Sequence, residues 1–306
     1  MAKVKKITRP KANPKRAKKA LIISGGGARG AFAVGAIKAL QENHMLDFDL
    51  VAGSSTGALI VPLVVMKEVD TLIQIYSSTS TKQVVRKRCL PWALLFGDSI
   101  FDTAPLAKLI ETFLPDEKAL SVLQSKTKIY LATIELQSGK AVYFSNDKSL
   151  RSDLDTAFQK ITSPQMLRDA MLASSNQPIF MPPVTINGRQ YMDGGLRDIS
   201  PVKVAVLAKI PEIIIIDMIP EENEYDNRLF KRIPEIVGRG LEIMSKEIVD
   251  GDIAQAQKAG VKTTIIRPRE GLNKNPLDFD PVAMRKMLDL GYEAARSQIA
   301  KLKTFN

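Results

Sequence analysis

Residues 20–66 read ALIISGGGARGAFAVGAIKALQENHMLDFDLVAGSSTGALIVPLVVM, and the order of apolar runs and glycines within them decides the fold. Residues 20–24 form a short β-rich run that Gly25-Gly26-Gly27 breaks, and residues 31–41 then carry apolar side chains at helical spacing. Residues 48–52 read as a second strand, stopped by Gly53-Ser54-Ser55-Thr56-Gly57, and residues 58–66 as a buried helix. Two successive strand–turn–helix units predict an α/β fold on a parallel sheet.

Outward from this stretch the pattern continues. Residues 68–126 are mostly helical, with an apolar patch at 89–96. Residues 128–135 and 140–145 read as a hairpin, and 167–175 as a helix running into Asn176-Gln177-Pro178. Residues 184–186 and 189–192 flank Asn187-Gly188, a strong hairpin signal. A helix is expected at 202–209, and the four consecutive isoleucines within 212–218 fit a strand buried on both faces. Amphipathic helices at 228–250 and 282–303 enclose a strand at 263–267. With no internal repeat and no linker, residues 20–306 are expected to form one domain.

Charge is concentrated at one end. Residues 1–19 hold nine Lys and Arg and no acid, so removing them from the net +11 leaves +2 for the rest. Pro10 and Pro14 oppose a continuous helix there, and the segment reads as a disordered basic arm. It is expected either to meet an anionic membrane surface, each cation contributing up to ~1 kcal/mol, or to act as a solubilising extension. No specific nucleic-acid partner is expected. The apolar run after the arm is too short for a secretory h-region of roughly 7–15 residues. The run at 58–66, interrupted by Pro62, is far below the ~20 residues of a transmembrane helix. A cytoplasmic protein with peripheral membrane contact is the expectation. One Cys, Cys89, excludes an intramolecular disulfide and a Cys-rich metal site, and one His, His44, excludes a multi-His centre. Neither a metal nor a cofactor is expected.

Gly53-Ser54-Ser55-Thr56-Gly57 fits G-x-S-x-G. A nucleophile on a tight strand-to-helix turn is lifted above the sheet, and the flanking Gly53 and Gly57 let backbone pass without Cβ clashes. Gly25, Gly27 and Gly30 also satisfy G-x-G-x-x-G. A dinucleotide fold, however, needs an acid at the end of the second strand, where Gly53-Ser54-Ser55 stands instead. The other reading makes Gly25, Gly26, Gly27 and Arg29 an oxyanion hole of backbone N–H groups at a helix N-terminus. A serine nucleophile needs a base. His44 lies at the entry end of the strand whose exit end carries Ser55, about 16 Å away, which rules out a Ser-His-Asp triad. A carboxylate acting directly remains, either Asp193 in Met192-Asp193-Gly194-Gly195 or Asp217 at the end of the Ile-rich strand. Spacing alone leaves both open. Trp92, Leu95 and Phe96 are candidates for the wall of an apolar-chain site or for interfacial contact, and an ordinary buried helix start explains them equally well. Arg86, Lys87 and Arg88 read as a solvated basic turn or a phosphate contact.

Gly25-Gly-Gly-Ala-Arg-Gly30, Gly53-Ser-Ser-Thr-Gly57 and Asp193-Gly-Gly195, in this order, resemble the patatin-like phospholipases, as does the segment from Ala173 to Pro183. The resemblance covers residues 20–300. It implies a three-layer α/β/α fold with a mostly parallel sheet and a Ser–Asp dyad of Ser55 and Asp193. It also places Gly25, Gly26, Gly27 and Arg29 on the oxyanion segment. The implied activity is calcium-independent hydrolysis of phospholipid or lysophospholipid acyl esters. An acyltransferase on the same site and a catalytically silent lipid-binding module are the alternatives. Asn176 and Gln177 stand where small residues are more usual and are expected to narrow the pocket. Asp198-Ile199-Ser200-Pro201 replaces an Asn-rich run.

Overall fold

The computed structural model describes residues 17–88, 97–220, 229–269, 272 and 275–304. The deciding stretch folds as strand β1 (Lys19–Ile23), helix α1 (Gly30–Glu42), strand β2 (Leu50–Ser54) and helix α2 (Thr56–Val65). Helices α3 (Val69–Ser78) and α4 (Thr81–Val84) follow, then a two-residue pairing of β3 (Arg86–Lys87) with β4 (Phe101–Asp102), and helices α5 (Ala104–Phe113) and α6 (Asp116–Gln124). The middle of the chain gives β5 (Lys128–Glu135), β6 (Ala141–Ser145), β7 (Thr156–Lys160), α7 (Pro164–Ser175), β8 (Val184–Ile186) and β9 (Arg189–Asp193). The last third gives α8 (Val202–Leu207), β10 (Glu212–Ile216), α9 (Ile233–Lys258), β11 (Lys262–Ile266) and α10 (Pro281–Thr304).

The main sheet runs β11-β10-β1-β2-β5-β6-β7. Its first five strands are parallel, β6 returns antiparallel to β5, and β7 is parallel to β6. The exit end of β5 also pairs antiparallel with β9, which carries β8. Alternation along each central strand sorts side chains to two cores. Leu21, Ile23, Val51, Leu131, Ile214 and Ile216 face one core, with α1, α2, α7 and α10. Ala20, Ile22, Leu50, Ala52, Ile213 and Ile215 face the other, with α8 and α9. This explains the four isoleucines of β10, since a strand covered on both faces has no polar side. The layers are α/β/α.

Most expected elements form, with informative shifts. β2 starts two residues late and α2 two residues early, so only Ser55 joins them. The helix expected at 228–250 lies at 233–258, and β7 was not anticipated because Thr156-Ala157-Phe158-Gln159-Lys160 carries only two apolar side chains. β1 already includes Lys19, one residue inside the expected arm. Helices α1 and α10 meet at reciprocal glycines. A Cβ on Gly35 would overlap the Leu288 carbonyl, and one on Gly291 the Phe32 carbonyl. The bare backbones therefore approach as no side chain would allow.

Candidate active site

Register brings the motifs together. Ile23 lies opposite both Gly53 and Ile216, so the exits of β1, β2 and β10 end at one edge of the sheet. Ser54 is opposite Ala132 on β5, and the next β5 residue, Thr133, is opposite Asp193 on β9. Ser55 and Asp193 thus leave neighbouring ladders at the same level, although they lie far apart in sequence.

Ser55 is buried and left-handed, with φ 54° and ψ −126°. A non-glycine residue held there is strained, and such strain gathers at functional turns. The turn closes only because its flanking residues lack side chains. A Cβ on Gly57 would overlap the Ile23 carbonyl, and one on Gly53 the backbone of Gly57. The Ser55 N–H donates to Ser174 Oγ at 3.0 Å, and that hydroxyl donates to the Ala132 carbonyl at 2.6 Å, so α7 and β5 hold the turn.

Asp193 is 4% exposed. Its Oδ1 accepts the Gly195 N–H at 2.8 Å, and its own N–H donates to the Asn176 carbonyl at 3.0 Å. Burial pushes its carboxyl up to about 6, against the opposing pull of the Gly195 N–H, which donates to it, and of the nearby Ser55 hydroxyl. Asp217, the rival carboxylate, is engaged elsewhere. It accepts from Ser24 Oγ at 3.0 Å, from the Ile219 N–H at 3.1 Å and from Arg267 Nε at 2.7 Å. Ser24 Oγ in turn accepts the Met218 N–H at 3.2 Å, which pins the start of the glycine loop between β1 and β10. His44 is exposed in the turn after α1, at the entry edge of the sheet.

The glycine loop lies against the serine: a Cβ on Gly25 would stand 3.1 Å from that of Ser55. Three of its N–H groups are already used. Gly25 donates to the Ile199 carbonyl at 2.9 Å, Ala28 to the Pro276 carbonyl at 2.8 Å and Arg29 to the Gly26 carbonyl at 3.1 Å. Among the described residues the N–H groups of Gly26 and Gly27 have no such acceptor. Arg29 turns away, its Nη2 lying 3.3 Å from Glu242 Oε1 on α9.

A cleft enclosing about 900 Å³, part of it open to solvent, begins at Gly27, Ser55 and Thr56. It continues between apolar side chains of α2, α3, α5 and the 277–284 segment, among them Leu59, Leu63, Ile75, Leu109, Phe113 and Phe279. A polar pair on its wall is self-satisfied: Thr56 Oγ1 and the buried Tyr76 hydroxyl lie 2.5 Å apart, and burial pushes that phenol up to about 12. Gln177 lines the cleft as expected. Asn176 does not, because its amide turns inward to the Pro182 carbonyl at 2.8 Å. Ile199 braces the glycine loop through its carbonyl, while Asp198 accepts from Tyr143 and donates its N–H to the Gly194 carbonyl at 2.9 Å. The basic turn is balanced by acid, with Arg86 paired to Asp102 and Arg88 Nη1 2.6 Å from Asp98 Oδ1. Trp92, Leu95 and Phe96 lie outside the described residues. Ser174 was legible only as part of a resemblance, since nothing in its own sequence signals an acceptor for a strained amide. Among the described residues no group of three or more His, Cys, Asp or Glu could hold a metal ion. Nor is any described helix long and apolar enough to cross a membrane.

An α/β/α sheet with a serine elbow and a glycine loop at its exit edge, beside an Asp-Gly-Gly turn, is the architecture of a patatin-like protein. The family model for the patatin-like phospholipase matches residues 21–206, and the chain belongs to that family. It is 26% identical over 220 residues to the uncharacterised protein YjjU of Escherichia coli K12, spanning 72% of this chain and 57% of that one. It is 25% identical over 202 residues to the cGAMP-activated phospholipase of Vibrio cholerae, 58% of this chain and 53% of that protein. The chain thus spans little more than half the length of these relatives. Its fold is similar to VipD of Legionella pneumophila, with a TM-score of 0.50 and 14% identity, covering 93% of this chain and 67% of that one.

Proposed function

We propose that the chain is a calcium-independent serine acyl hydrolase of phospholipids or lysophospholipids, carried by a single catalytic unit that begins at β1, after the basic arm. The observation that carries this reading is the strained Ser55 at the mouth of an apolar cleft, its hydroxyl facing the buried Asp193. Ser55 Oγ attacks the ester carbonyl as Asp193 takes its proton. An Asp with an ordinary value near 3.9 is a weak base, and one raised to about 6 is better matched to proton transfer at neutral pH. The N–H groups of Gly26 and Gly27 stabilise the oxyanion, each such donor being worth ~2.7–4 kcal/mol in related sites. Gly25 and Arg29 keep the loop in shape. Asp193 then protonates the departing alcohol, and a water deprotonated by the same carboxylate releases the fatty acid from Ser55. The apolar cleft holds the acyl chain. The family and the named activity of the Vibrio cholerae relative support the same class of substrate.

The test is labelling with a fluorophosphonate and mapping of the adduct by mass spectrometry, with Ser55→Ala and Asp193→Ala alongside. An adduct on Ser55 that both variants lose supports the proposal. A folded protein that takes no label overturns it.

A further inference from the structure

Helix α9 is too long for the sheet it covers. Its 26 residues extend ~39 Å, whereas the five-residue strands β10 and β11 on either side of it in sequence extend about 17 Å. Because β10 and β11 are parallel, α9 returns from the exit edge to the entry edge. Its buried residues Val249, Ile253 and Ala256 all lie in the half that covers the sheet. From Glu235 to Ile248 no residue is buried. The first half of α9 therefore projects past the exit edge, on the side where Ser55 opens.

The apolar face changes sides along this helix. At about 100° per residue, Val249, Ile253 and Ala256 point to the sheet, and Glu242, on the same side, reaches Arg29. Ile236, Val237, Gly240, Ile243 and Met244 fall on the opposite side, spaced i, i+1, i+4, i+7, i+8 as in an amphipathic helix. Ile236, Ile243 and Met244 are each more than half exposed. Beyond Met244 the outward positions carry no large apolar side chain, being Glu247, Gly251, Ala254 and Lys258. The outward apolar stripe is thus confined to the projecting part. A second exposed apolar side chain belongs to the cleft's own wall segment: Ile179 is 60% exposed, held at φ 72° between Gln177 and Met181, which both line the cleft.

We propose that the projecting half of α9, together with Ile179, is the face on which the protein lies on a lipid surface, with the cleft mouth turned to the acyl chains. The proposal rests on the lipid-hydrolase reading above. A second copy of the chain is a poorer occupant. A stripe about 13 Å long and 10 Å wide covers roughly 130 Å², against the ~800 Å² per partner of a stable complex. Partial insertion of an amphipathic helix needs no such area, and its strength follows the apolar surface buried. The charges beside the stripe balance, with Arg232 paired to Glu235 and Arg239 to Glu242, so the attraction is apolar and does not require anionic lipid.

The test uses the full chain carrying Ser55→Ala, so that binding is read without turnover, and vesicles of zwitterionic phosphatidylcholine with no net charge, so that the basic arm contributes little. Flotation of this protein is compared with the same chain carrying Ile236→Glu and Ile243→Glu, and with an Ile236→Ser, Ile243→Ser pair that adds no charge. Both pairs are expected to lower vesicle partitioning at least tenfold. In the Ser55 chain the same pairs are expected to leave fluorophosphonate labelling in free solution unchanged, which also shows that they fold. Partitioning equal to the parent overturns the proposal. So does light scattering that finds a parental dimer which the pairs dissociate. If Ser55 takes no label yet the pairs abolish partitioning, the surface stands and the hydrolase reading falls.

Discussion

The raised carboxyl of Asp193 carries a cost in stability that a single substitution removes. In the unfolded chain this group titrates near its ordinary 3.8, and in the fold at about 6. The folded value is the higher one, so the fold favours the protonated form. Its contribution to stability is complete below pH 3.8 and is lost as pH rises through about 6. The difference of about two units, at 1.36 kcal/mol each, gives about 3 kcal/mol. Asparagine is a neutral isostere that can still accept the Gly195 N–H through Oδ1. Asp193→Asn is therefore expected to be more stable than the parent by about 3 kcal/mol at pH 8, and no more stable at pH 3.5. It should also lose on the order of 10²–10⁴ in labelling rate, the usual worth of a general base. Urea unfolding of parent and variant at both pH values is the assay. The buried Asp198 and Asp252 carboxyls, both raised by burial, with Asp252 at about 8, titrate in both proteins and cancel in the difference. A variant less stable than the parent at pH 8, or a gain that does not change with pH, would refute this account of the base.

Other perturbations test neighbouring parts of the argument. If Asp193 must be ionised to act, kcat/KM on a soluble ester should fall about tenfold from pH 7 to pH 5, and a flat profile would remove it as the base. Gly57→Ala drives a Cβ into the Ile23 carbonyl and should cost at least ~2 kcal/mol, seen as a lowered Tm. Ser174→Ala strips the acceptor from the Ser55 N–H and the donor from the Ala132 carbonyl, so about 1–3 kcal/mol and a slower labelling rate are expected. Leu109→Trp fills the α5 wall of the cleft and should shift preference from long to short acyl esters, read as at least a tenfold change in the rate ratio of palmitoyl to butyryl p-nitrophenyl esters.

Much of this was legible because glycine and serine patterns carry geometry with them. Gly53 and Gly57 announce a turn that tolerates no Cβ, and the structure finds backbone at both positions. The isoleucines of β10 announce a strand with two covered faces. Asp193 and Asp217 could not be separated by sequence, since each follows a strand at the same edge. What separates them is Arg267 and Ser24, which occupy Asp217 and come from strands distant in the chain. The glycine loop's division into used and unused N–H groups depends on Ile199 and Pro276, long-range partners that no local pattern discloses. Asn176 misled because a large side chain beside a pocket suggests obstruction, whereas its amide found a buried carbonyl instead. β7 was missed for want of apolar content, since its edge position exposes half of it to water.

The reciprocal glycines of α1 and α10, with the pairing of β1 to β10, bear on how the sheet edge can assemble. The elbow and the glycine loop lie early in the sequence, whereas the groups that brace them lie far along it: the strand at 212–216 leads to Asp217 behind the loop, and the helix at 281–304 packs on α1. The loop and the turn are thus fixed by contacts of high sequence separation, the kind that form late because loop closure must be met first. Local propensity can start this edge, and only the closed sheet can set its geometry.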